Sequence, residues 1–206
     1  MKKLSVKEQI ELIETRSSKK LREYLREGNL LSKRAIDALF HSKSAKLIKT
    51  YINEVYTDAE EFAKYQVEVM KYGTRETIAT YHFFHDMTPE GEMALIDRNE
   101  IESFSYYVSN HELSDEAFTY LISKRNCTLA HYYLENKMLT ESQVKILMSS
   151  HAIKCINVYI ELASSSELEL ASDVLVNTKD EKLIKSVYKG CPVLRPWIYM
   201  TTIRKK

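Results

Sequence analysis

At 206 residues, 44% hydrophobic and 29% charged with a net charge of +1, the chain is far above the size at which a core becomes marginal and has the make-up of a soluble globular protein. Four Gly and three Pro leave few of the turns that sheets need, and three scattered cysteines, Cys127, Cys155 and Cys191, show neither CxxC nor Cys/His metal spacing and, being odd in number, no secreted disulfide framework. The basic start Lys2-Lys3 has no apolar run behind it and no stretch approaches membrane-spanning length, so a cytoplasmic protein, neither exported nor inserted, is expected.

Taken in chain order, one signal returns about every 26 residues: an apolar residue followed by Ser or Thr, at Leu4-Ser5, Leu31-Ser32, Tyr56-Thr57, Met87-Thr88, Leu113-Ser114 and Leu139-Thr140, with Ser166 extending the series. These hydroxyls read as helix N-caps, which satisfy a first-turn amide that has no partner within the helix. Ser5/Glu8, Thr57/Glu60, Thr140/Gln143 and Ser166/Glu169 add the capping-box spacing. After each cap an apolar pair at helical spacing marks a first helix, as in Leu12-Ile13, Leu39-Phe40 and Leu147-Met148.

Beyond the pair stands a tyrosine: Tyr24, Tyr51, Tyr81, Tyr107, Tyr133 and Tyr159. Apolar neighbours three and four residues before it place it on the buried stripe of a second helix. Polar stretches such as Arg16-Ser17-Ser18-Lys19 and Lys124-Arg125-Asn126 turn the chain between the two, Gly28 and Gly190 suit the end of the second helix, and an insertion near Tyr72-Gly73 lengthens the third unit. The expectation is an all-α chain forming one domain: a right-handed α-α superhelix of about seven helical hairpins over residues 4–190, closed by a capping or docking segment at 191–206 that holds the single Trp197.

In this repeat the chain resembles α-solenoid proteins of the HEAT, armadillo and ankyrin type, in architecture and without a family signature. Ankyrin repeats run to about 33 residues with a T-P-L-H-x-A pattern, where this chain has Thr88-Pro89-Glu90-Gly91. The resemblance implies recognition of a protein or peptide, less often of nucleic acid.

Charge is segregated along the array. Residues 1–50 hold 13 Lys/Arg against 6 Asp/Glu, residues 51–120 hold 4 against 15, and residues 121–206 hold 13 against 8. Second-helix positions expected to face outward give Lys19, Arg22, Arg26, Lys46 and Lys49, a basic ridge for an acidic partner or phosphates, or simply a solvated face. In later units the outward positions become Ser103, Ser105, Thr128, His131, Lys154 and Asn157, with Tyr106 and Tyr132 as exposed contact aromatics. His82 and His85 stand three apart on a helical face with Asp86 beside them, half of a metal site, or else His82, in the slot that holds Ile52, Val108, Leu134 and Ile160 elsewhere, is a partly buried histidine tied to a hydrogen bond. No catalytic motif is present, so a non-enzymatic scaffold without metal or cofactor is expected, with a site near His82/His85 as the enzymatic alternative.

Overall fold

The computed structural model describes residues 3–55, 64–124 and 127–204, the side chains of Phe83 and Phe84 aside. The described residues form fifteen α-helices and no strand, and none of these helices is long and apolar enough to cross a membrane. The chain divides into two compact units, Met1–Arg98 and Asn99–Lys206. The division falls between two helices of one predicted hairpin, the fourth.

The first unit holds α1 (Val6–Glu14), α2 (Ser18–Arg26), α3 (Lys33–His41), α4 (Ala45–Glu54), α5 (Gln66–Tyr72), α6 (Arg75–Phe84) and α7 (Pro89–Arg98). Here α1 packs on α3 and α2 on α4, so like helices of successive hairpins are neighbours; in the irregular third hairpin α5 packs on both α4 and α7. The second unit holds α8 (Ile101–Asn110), α9 (Asp115–Ser123), α10 (Thr128–Asn136), α11 (Glu141–Ser149), α12 (Ile153–Leu162), α13 (Ser165–Asn177), α14 (Glu181–Gly190) and α15 (Arg195–Arg204). Its packing runs in two rows, α9, α11, α13 and α15 in one, α8, α10, α12 and α14 in the other. Helices of nine or ten residues are marginal alone, and this stacking supplies the cover that each apolar face needs.

The caps fall mainly where the repeat puts them. Ser5, Ser32, Ser114 and Thr140 each accept a first-turn N–H, and Ser5/Glu8 and Thr140/Gln143 complete capping boxes. The predicted cap at Thr57/Glu60 lies outside the described residues. The last cap is not Ser166: Ser164 takes that place, with the Glu167 carboxylate accepting from both its backbone N–H (2.7 Å) and its hydroxyl. Both Ser164/Glu167 and Ser166/Glu169 match the box pattern, and the earlier one is used because α13 begins two residues sooner than the period implies, running to 13 residues.

All six ladder tyrosines are buried, each ring removing about 150–250 Å² from water, roughly 4–6 kcal/mol of gross hydrophobic stabilisation at about 25 cal/mol/Å². Buried glutamines tie neighbouring elements to them. Gln9 Oε1 accepts from Ser32 N (2.8 Å) while its Nε2 donates to Leu4 O and the Tyr24 hydroxyl; Gln143 Nε2 donates to Leu113 O (2.9 Å) and the Tyr133 hydroxyl.

Three of the hairpin turns share one construction. Thr15, Ser42 and Thr178 hydroxyls each donate to the carbonyl three residues back (2.6–2.7 Å) and accept the N–H two residues on. Between the two bonds Arg16, Lys43 and Lys179 sit in the left-handed region, at φ 52°, 51° and 56°, where a side chain costs about 1–2 kcal/mol. Segment 191–204 folds back on α13: Ile198 and Thr201 are buried, Thr201 Oγ1 meets Ser172 Oγ (2.9 Å), and the Arg195 guanidinium donates to the last carbonyls of α14, Tyr188 O and Lys189 O.

Candidate functional site

The basic ridge is exposed at all five positions, Lys19, Arg22, Arg26, Lys46 and Lys49, but two of its cations are already engaged. Glu54, at the end of α4, lies 3.1 Å from Arg22 and takes a two-pronged hydrogen bond from Arg26 (2.9 and 3.1 Å). That bond and the attraction to Glu54 raise the Arg26 pKa. Lys19 stands 4.0 Å from Glu23. The sequence hides the Glu54 contact, since that residue is a full repeat away from the arginines.

In the second unit the outward assignments divide. Tyr106 is 55% exposed; Tyr132 is only half-buried, set edge-on against Phe104 at 6.4 Å. Thr128 and Lys154 are exposed, Ser105 and Asn157 intermediate. Ser103 is the correction: it is fully buried, because it lies four residues before Tyr107 and therefore on the inner stripe, where its hydroxyl donates to Glu100 (3.0 Å). His131 also turns inward further than expected, half-buried with Nε2 shielded from solvent and without a hydrogen-bond partner among the described residues. His82 and His85 do not share a helical face: α6 ends at Phe84, and His85 is an extended C-cap whose ring lies 4.7 Å from that of Tyr81.

A cleft of about 790 Å³ in the second unit opens at the tips of two successive hairpins. The α9 and α11 ends give Ile122 and Ile146, the start of α12 gives Ile153, and Lys124, His151 and Lys154 stand among them. His151 Nε2 is 3.5 Å from Asp180 Oδ2, and the Lys124 ammonium donates to the Tyr120 hydroxyl (2.7 Å). The first unit repeats the feature on a smaller scale, about 430 Å³, between the tips of its first two hairpins at Ile13, Arg16, Ala38 and His41. Such clefts follow from the hairpin stack; what lines them does not.

Two of the second cleft's lining residues are Cys127 and Cys155. With His131 they bring three ligand atoms within 4.8 Å of one another, the one such group of three among the described residues. This corrects the reading of the cysteines as unrelated. Cys127 caps α10 and His131 follows one turn later on the same face, its N–H bonded to Cys127 O (2.8 Å), while Cys155 arrives on α12. The signal missed was that a Cys/xxx/His turn on one helix can be completed by the next hairpin. Burial, with the adjacent Cys127 adding to it, pushes the Cys155 thiol up to about 12; burial also pushes Cys191 up to about 11. Protonated, buried thiols are poor nucleophiles.

Comparison with protein-family models, curated proteins and solved structures gives no match to this chain.

Proposed function

We propose that the chain is a non-enzymatic helical-repeat scaffold of the α-solenoid kind, about seven hairpins long, that binds a protein or peptide segment in the hairpin-tip cleft of its second unit. The observation that carries this reading is the lining of that cleft: an apolar wall of Ile122, Ile146 and Ile153 beside the cations of Lys124 and Lys154. Its volume lies in the range of sites that enclose a compact ligand group, roughly 300–1,000 Å³. The complementary segment carries a large apolar side chain for the wall and carboxylates for the rim.

Nucleic-acid binding along Lys19, Arg22, Arg26, Lys46 and Lys49 has less support, because Glu54 holds both arginines. Selection from a random peptide library on the full chain tests the proposal. Enrichment of sequences with a Leu, Ile or Phe flanked by Asp or Glu is expected. Enrichment of basic sequences, or none above an unrelated helical protein, contradicts it.

A further inference from the structure

The Cys127, His131 and Cys155 group is not something the helical repeat requires. In the units where the pattern is regular, the position of Cys155, four before the ladder tyrosine, holds Lys20, Leu47, Ser103 or Leu129. The position of His131, two before it, holds Arg22, Lys49, Ser105 or Asn157, and that of Cys127, six before it, holds Ser18, Ala45, Ile101 or Ile153. Three ligand-type side chains thus depart from the pattern in neighbouring hairpins, at the three points where α10 and α12 bring them together. The tip cleft of the first unit is lined without any cysteine.

We propose that Cys127, His131 and Cys155 form a zinc(II) site whose fourth position opens on the cleft. Two thiolates and an imidazole favour zinc and other thiophilic ions over magnesium or calcium. At bond lengths of about 2.3 Å to sulfur and about 2.0 Å to nitrogen, a tetrahedral ion holds its ligand atoms roughly 3.5–3.8 Å apart. The present span of at most 4.8 Å closes to that by small side-chain rotations. The shielded His131 Nε2 has no hydrogen-bond partner among the described residues, an arrangement that costs stability in the bare protein and that a metal bond relieves. Both thiol-bearing residues line the cleft, so the remaining position faces open space and takes water, the arrangement of three protein ligands and one exchangeable ligand. The two cysteines neutralise the dication as thiolates, each releasing its proton on binding. This inference stands apart from the peptide-binding proposal.

The test uses the reduced, chelator-stripped full chain titrated with cobalt(II) as a spectroscopic substitute and then with zinc(II). One cobalt per chain is expected, with thiolate-to-metal charge-transfer absorption and intense tetrahedral visible bands, displaced by one equivalent of zinc. Cys127→Ser and His131→Gln, both at half-buried positions and checked for folding by circular dichroism, should each weaken zinc binding by more than the roughly 10–100-fold that altered support of a ligand produces. Cys191→Ser should leave stoichiometry and spectrum unchanged. Absence of the charge-transfer bands in the wild type overturns the site, as does undiminished binding in either ligand variant. A Cys127–Cys155 disulfide in the oxidised chain, with no metal uptake after reduction, likewise overturns it in favour of a plain thiol pair.

Discussion

Tyr133 and Tyr159 hold the same place in successive hairpins of one unit, and removing their hydroxyls should change stability in opposite directions. The Tyr133 hydroxyl accepts from Leu113 N (3.3 Å) and from Gln143 Nε2 (3.4 Å). Tyr133→Phe strands the buried Leu113 N–H, while Gln143 keeps its bond to Leu113 O (2.9 Å). An unsatisfied buried group costs about 1–3 kcal/mol, and bonds at the long end of the usual range place this loss near about 1–1.5 kcal/mol. The Tyr159 hydroxyl is buried with no hydrogen-bond partner among the described residues, and burial with the nearby Glu167 pushes its pKa up to about 12. Tyr159→Phe removes a desolvated hydroxyl at little change in shape and should stabilise by about 0.5–1 kcal/mol. Urea unfolding of both variants, read by far-UV circular dichroism, should separate them by about 2 kcal/mol, or roughly 4–8 °C in melting temperature for a chain of this size. Equal destabilisation by the two substitutions would refute the reasoning, because it would mean that the ring edge and not the hydroxyl's partners decides the energy.

The turn construction gives another expectation: Arg16→Gly and Lys43→Gly should each stabilise by about 0.5–1 kcal/mol, the relief of a left-handed side chain less glycine's greater loss of entropy; destabilisation in thermal melts would count against it. Ser164→Ala should cost about 1 kcal/mol and Ser166→Ala less than about 0.5 kcal/mol, and the reverse order would restore the predicted cap. Asp37, contacted by the Lys64 ammonium (2.6 Å) and the Tyr65 hydroxyl, has its pKa lowered, chiefly by the hydrogen bond from Lys64. A carboxyl depressed in the folded state contributes stability that is fully present above its unfolded pKa and lost as pH falls through the folded one. The wild type should therefore exceed Asp37→Asn in stability at neutral pH, with the difference vanishing in acid; a difference unchanged down to low pH would exclude this pairing.

Much of the fold is legible because it is written locally. A cap hydroxyl, an apolar pair and a tyrosine each act within one or two helical turns, so a linear reading finds them. Where two local solutions coexist, as in Ser164-Ser165-Ser166 followed by Glu167 and Glu169, periodicity selects the wrong one. Ser103 is misplaced by a single step of register, enough to carry a side chain from the outer face to the inner stripe. The candidate sites are less legible because they depend on how one hairpin meets the next. Glu54 reaches Arg22 and Arg26, and Cys155 reaches Cys127 and His131, across a whole repeat. A spacing of that length carries no ligand signature; only the packing of α2 on α4 and of α10 on α12 creates the proximity.

The claim that the second unit's cleft is the recognition site is tested most directly by the affinity of one selected acidic-apolar peptide for the full chain and for Ile146→Asp, with Ala38→Asp in the smaller cleft of the first unit as control. A loss of about 1–3 kcal/mol of binding, roughly 10–100-fold, is expected for Ile146→Asp, with no change for the control. Equal affinity for wild type and Ile146→Asp, with Ile146→Asp folded, would contradict the account.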